Sequence, residues 1–155
     1  GGAVETTSVD LAKRSRELST AHFEANGFSM GNHRLVVMDV FDYFKYAKKK
    51  GLSYDLIVID PPSFARNKKR TFSANKDYHK LIAQSLDILS EHGTIIASTN
   101  AANMTVQQFK KQLRKGLGDV SADFVNLQQL PADFTVNPND PTSNYLKVYT
   151  IKVNK

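Results

Sequence analysis

Apolar residues recur along the chain in short blocks whose spacing switches between a two-residue and a 3.6-residue period, which predicts alternating strands and helices. Residues 4–9 form a β-prone stretch ending at Asp10. Leu11, Leu18, Ala21, His22 and Ala25 then keep helical spacing until Asn26-Gly27 stops it. Residues 34–38 predict a second strand, closed by Asp39, and Phe41, Phe44 and Ala47 mark a helix over 40–50 that ends at Gly51. Residues 54–59 are nearly continuous in apolar side chains, as expected of a strand covered on both faces, and Asp60-Pro61-Pro62 ends it by removing backbone donors. After a polar, basic loop, Tyr78, Leu81, Ile82, Leu86 and Leu89 define a helix face closed near His92-Gly93. A buried strand over 94–97 follows, then a helix through Val106, Phe109 and Leu113 ending near Gly116 to Gly118. The tail predicts strands at 124–129 and 145–153, separated by a Pro/Asn/Asp loop over 131–143.

Strands alternating with helices predict an α/β fold: an open, twisted, mainly parallel sheet with helices on both faces. The last two strands, joined without a helix, predict an antiparallel hairpin at the C-terminal edge. Ligands of such sheets bind outside the carboxyl ends of the strands. Asp10, Asp39 and Asp60 each occupy that position on a successive strand, so all three are expected to face one crevice.

Composition narrows the chemistry. A chain of 155 residues with 41% hydrophobic content suits one domain, and no repeat or low-complexity linker divides it. The absence of cysteine excludes disulfides, thiolate metal sites and a cysteine nucleophile from this chain. His22, His33, His79 and His92 lack ligand spacing, so no metal site is expected. No apolar run reaches membrane-spanning length and no signal peptide is evident, which leads to an expected cytoplasmic location without a membrane partner. The net charge of +6 permits attraction to phosphate backbones. Lys48 to Lys50 and the group Lys110, Lys111, Arg114 and Lys115 fall on predicted helices, where solvated faces explain them. Arg66, Lys68, Lys69 and Arg70 lie instead in the loop beside Asp60 and are the candidate contacts to the phosphates of a nucleic acid.

At a strand end beside a bound nucleoside, the Asp10 carboxylate can accept both ribose hydroxyls; capping of the following helix is an equally direct explanation, and both can hold together. Asp39 can accept from an exocyclic adenine amine, with the Val40 amide toward a ring nitrogen and Phe41 as an apolar wall, or it can cap its own helix. The turn Asp60-Pro61-Pro62 is harder to explain as structure alone. Its carbonyls have lost their ladder partners, and with Phe64 it makes a rigid acceptor-rich turn able to hold a flat base by its edge and face. Asp60, Pro61, Pro62 and Phe64 are therefore the candidate catalytic set.

The succession Thr7-Ser8-Val9-Asp10, Asp39-Val40-Phe41 and residues 55–64, which end in Asp60-Pro61-Pro62-Ser63-Phe64, resembles the class I methyltransferases and within them the bacterial 23S ribosomal RNA large-subunit methyltransferases. The resemblance spans essentially the whole chain. It implies a Rossmann-like catalytic domain using S-adenosylmethionine and acting on RNA, ribosomal RNA in particular, with a homodimer left open. By position it implies Asp10 on the cofactor ribose, Asp39 and Val40 on its adenine, and Asp60 with Pro61 near the methyl group and target base. Ser98-Thr99-Asn100 falls where the family places further active-site residues. The family's first strand, its glycine-rich turn for the methionine part of the cofactor, and an amino-terminal RNA-binding portion are not in this sequence, so 1–155 is expected to be a partial catalytic domain.

Family members that methylate carbon 5 of cytosine use a cysteine to activate the ring; this sequence has Ser98-Thr99-Asn100 where it is expected. A threonine hydroxyl has too high a pKa to replace a thiolate without an activating base. The expected acceptor is therefore a base nitrogen, guanine N7 or an exocyclic amine. The alternatives are cytosine carbon-5 methylation by family resemblance and a non-catalytic RNA-binding module with a methyltransferase-like fold. A nicotinamide-dependent oxidoreductase gives the Asp-Pro-Pro turn no role.

Overall fold

The predicted alternation begins as β1 (Thr6–Asp10), α1 (Lys13–Ala25), β2 (His33–Val37) and α2 (Val40–Lys49). The computed structural model describes residues 2–67 and 70–155, which form two compact units, Gly1–Lys50 and Gly51–Lys155. In the first unit β1 and β2 pair in parallel, from Thr6 opposite His33 to Asp10 opposite Val37. Helix α1 closes at Asn26, and Gly27 takes the positive φ of 69° that such a stop favours. Its apolar stripe is shallow: no α1 side chain is fully buried, and Leu18 stays half-exposed. Helix α2 is the opposite case, burying Phe41, Tyr43, Phe44 and Ala47.

The second unit continues with β3 (Tyr54–Ile59), β4 (Phe64–Arg66), β5 (Thr71–Ser73), α3 (Ala74–Leu86), β6 (Leu89–Thr99), α4 (Val106–Leu117), β7 (Ser121–Gln128) and β8 (Lys147–Asn154), with a 3-10 turn at Pro141–Ser143. Its four-stranded sheet runs β3-β6-β8-β7, with β3 and β6 parallel and the expected antiparallel hairpin formed by β7 and β8. Strand β8 shows why it holds its place: Lys147, Tyr149, Ile151 and Val153 alternate as buried residues. Helices α3 and α4 pack together so closely at Gly116 that a Cβ there would lie 2.5 Å from Ile82 Cβ and 2.6 Å from the His79 carbonyl. Helix α4 starts at a capping box in which Thr105 and Gln108 satisfy each other's backbone amides.

Three expectations change. The helix predicted to reach His92-Gly93 stops at Leu86, and Leu89 opens β6 opposite Tyr54. Gly93 is part of that strand; a Cβ on it would lie 2.5 Å from Leu89 Cγ, so glycine permits the close fold-back rather than ending a helix. Strand β3 is not covered on both faces: Ile59 is buried, whereas Leu56 and Val58 are 52% and 62% exposed. The polar loop after Asp60 contains an antiparallel hairpin, β4 with β5, invisible to periodicity because each strand has only three residues. Among the described residues no helix is long and apolar enough to cross a membrane.

Candidate active site

Asp60 follows the last residue of β3, where the parallel ladder with β6 ends at Ile59 opposite Ala97. The Ser98 hydroxyl donates to Asp60 Oδ1 at 2.8 Å, and the Ser63 hydroxyl donates to Asn100 Oδ1 at 2.8 Å. These two bonds bring Ser98 and Asn100 onto the Asp60 segment. Among the described residues Asp60 Oδ2 accepts no hydrogen bond, so the carboxylate is oriented through one oxygen while the other can still accept. Pro61 and Pro62 follow with no N–H to contribute. Phe64 is 63% exposed, leaving its ring available for contact with a planar group.

The hairpin after this turn places Phe64 opposite Ser73 and Arg66 opposite Thr71. Phe64 and Arg66, two residues apart on one strand, share a face, and both are exposed. Opposite Phe72, Ala65 turns to the other face, where Phe72 is buried. The turn is closed by the Asn67 amide donating to the Arg70 carbonyl and the Arg70 amide donating to Asn67 Oδ1. Lys68 and Lys69 lie outside the described residues.

Asp10 and Asp39 stand at the same end of the β1-β2 pair, joined there by the Met38 amide donating to the Asp10 carbonyl. Asp10 Oδ1 accepts from the Ala12 amide at 2.7 Å and Oδ2 from the Ser15 hydroxyl at 2.8 Å. The expected cap is not formed: α1 starts at Lys13 with Ala12 as its N-cap and no side-chain cap, and Asp10 instead braces the turn before the helix. Because each oxygen has two acceptor directions, an exposed Asp10 can still take ribose hydroxyls. The depression beside it, lined by Ser8, Ser15, Arg16 and Val37 among others, has a volume of about 20 Å³, room for little more than a water. Asp39 caps α2, accepting from the Phe41 amide at 3.0 Å and the Asp42 amide at 3.4 Å. Val40 is half-buried, and the Phe41 ring is buried.

Several supporting residues carry no sequence signal. Tyr78, fully buried on α3, directs its hydroxyl to the carbonyls of Ile59 and Ser98. Lys147, buried on β8, donates to the carbonyls of Ala101 at 3.0 Å and Tyr145 at 2.8 Å, and burial holds its pKa below the usual lysine value. Thr99 is fully buried, its hydroxyl accepting from the Ala101 amide. Among the described residues no group of three His, Cys, Asp or Glu side chains is arranged to hold a metal.

A sequence family described as S-adenosylmethionine-dependent methyltransferase matches residues 1–148. YwbD of Bacillus subtilis, provisionally named a ribosomal RNA large subunit methyltransferase, is 43% identical over 98% of this chain and 39% of its own length. Ribosomal RNA large subunit methyltransferase K of Neisseria meningitidis is 32% identical over 86% of this chain and 37% of its own. Among solved structures, SMU.776, provisionally described as a methyltransferase and crystallised with SAH, is 70% identical and superposes with a TM-score of 0.95 over 99% of this chain and 40% of its own. The chain thus spans about two fifths of the length of these relatives.

Proposed function

Because the chain belongs to the S-adenosylmethionine-dependent methyltransferase family, we propose that it carries the cofactor- and base-binding residues of an enzyme that methylates a base nitrogen in large-subunit ribosomal RNA. The observation that carries this reading is the Ser98 to Asp60 hydrogen bond, which fixes an exposed carboxylate at the strand end with one oxygen still able to accept. S-adenosylmethionine supplies, when bound, a methyl group on a positively charged sulfur. In this reading Asp10 would hold its ribose, and Asp39, Val40 and Phe41 its adenine.

Asp60 and the carbonyls of the Pro61-Pro62 turn accept from the edge of the target base, and Phe64 contacts its face. These contacts would align the base nitrogen for the methyl group, which the cofactor would give up as its carbon–sulfur bond breaks. For guanine N7 no proton leaves before transfer. For an exocyclic amine Asp60 also polarises the N–H. Thr99 is no substitute nucleophile, being buried with its hydroxyl engaged, which supports nitrogen over cytosine carbon 5. Arg66, with Lys68, Lys69 and Arg70 from the same loop, supplies contacts to RNA phosphates.

Mass spectrometry of ribosomal RNA nucleosides from cells with and without the full-length gene tests the reading. Loss of one N-methylated base is the expected result. Loss of 5-methylcytosine would overturn the nitrogen assignment, and an unchanged nucleoside profile would overturn catalysis on ribosomal RNA.

A further inference from the structure

Parallel strands β3 and β6 part company beyond Ile59 and Ala97, where prolines begin on one side. A buried carbonyl that loses its ladder partner needs another donor. Here a single side chain serves both strands: the Tyr78 hydroxyl lies 2.9 Å from the Ile59 carbonyl and 2.8 Å from the Ser98 carbonyl. Ile59 immediately precedes Asp60, and Ser98 is the residue whose hydroxyl holds Asp60. One phenol therefore sets the separation of the two backbone points from which the Asp60 carboxylate and its hydrogen-bond donor project.

We propose that Tyr78 is a positioning residue for methyl transfer, its hydroxyl clasping the ends of β3 and β6 so that Ser98 orients the Asp60 carboxylate toward the acceptor base. The inference rests on the role given to Asp60 above. Tyr78 has no exposed surface, so it cannot touch RNA or cofactor itself. Its ring is held edge-on against Phe109 with centroids 4.9 Å apart, which fixes where the hydroxyl sits. Burial, partly opposed by the Ser98 carbonyl and reinforced by the charge of Asp60, raises the phenol pKa well above its usual value, so the group stays a protonated donor through the neutral range. A hydroxyl has one proton, and two carbonyls share it. The clasp is thus sensitive to small shifts of either strand end.

The test uses the full-length enzyme with a ribosomal RNA fragment. Tyr78→Phe keeps the ring and removes the hydroxyl; it is expected to lower kcat about 10- to 100-fold, the scale of a small misplacement of reacting groups. Its Kd for S-adenosylmethionine, measured by calorimetry, is expected to stay unchanged. Phe109→Leu loosens the same packing but keeps the hydroxyl. Equal kcat losses in Y78F and F109L at matched melting temperature would overturn the inference, because the loss would then follow stability. Ser98→Ala leaves Tyr78 in place and unties Asp60, so it should lower kcat about tenfold, and its combination with Y78F should cost less than the product of the two losses. If Y78F does not fold, S98A carries the test alone: full activity in S98A would overturn the inference. Asp60→Ala separates the two readings. Activity retained in D60A removes the role of Asp60 itself, whereas activity lost in D60A but kept in a folded Y78F removes only the clasp.

Discussion

Asp39 and Asp60 each stand just past the end of a strand, yet Asp39 accepts from amides two and three residues onward while Asp60 accepts from a hydroxyl 38 residues further along the chain. Asp10 sides with Asp39, taking the amide of Ala12 and the hydroxyl of Ser15. Asp39 is built into the start of its own helix and Asp10 into the turn that leads to the next one, so both side chains already have a local structural task. Asp60 has no local task of this kind. An exposed carboxylate oriented by a distant strand gains little stability from the arrangement, whereas the Asp39 cap stabilises α2 in its own right.

The largest effect expected from this contrast is on activity. In the full-length enzyme Asp60→Ala should lower kcat by about 100-fold or more while changing folding stability by less than about 0.5 kcal/mol. A normal turnover number with normal folding would erase the distinction between the two kinds of acid. Next, Gly116→Ala should destabilise the chain by roughly 1–3 kcal/mol in urea denaturation, because the added Cβ meets Ile82 and the His79 carbonyl of the α3-α4 contact behind the clasp. Wild-type stability would mean that α3 can shift freely, and the position of Tyr78 with it.

Asp39→Ala should cost about 1 kcal/mol of stability through loss of the α2 cap, and should also weaken S-adenosylmethionine binding in calorimetry. Stability lost with cofactor affinity intact would reduce Asp39 to its capping role. Arg66→Gln should flatten the logarithmic salt dependence of RNA binding by about 0.7, the increment for one single-strand phosphate contact. The smallest effect concerns Asp77. Burial raises its pKa, but hydrogen bonds from Lys80 and the Ser73 amide outweigh this and hold it below the usual value. Its contribution to stability is therefore full above the unfolded carboxylate pKa of about 3.9 and fades as pH falls through the lower folded value. Asp77→Asn should flatten the decline of stability below about pH 4, and an unchanged acid profile would show that its bonds are too exposed to matter.

Local signals were legible to the extent that one residue's neighbours in sequence are also its neighbours in space. The amphipathic spacing of α2 and α4, the stop at Asn26-Gly27 and the Asp39 cap were read almost to the residue. The end of α3 was misread because Leu89 continues the helical apolar spacing, while pairing with Tyr54 claims it for β6. The β4-β5 hairpin was missed because three-residue strands have no measurable period. At the site, Asp60-Pro61-Pro62 was conspicuous because two prolines after an apolar strand are unusual. Tyr78 looked like one more apolar position on a helix face.

The sequence by itself determined the α/β order, the acids at successive strand ends, the lack of a cysteine nucleophile and the family resemblance, since each depends on residue type and short-range spacing. Tertiary structure alone decided which group holds Asp60 and what ties the segments around it. Ser98 reaches Asp60, Ser63 reaches Asn100, Lys147 reaches Ala101, and Tyr78 joins two strand ends because strand pairing and helix packing bring together residues 19 to 46 positions apart. A hydroxyl or ammonium has no periodicity to betray its partner; the distance that makes it a hydrogen bond exists only after the chain has closed.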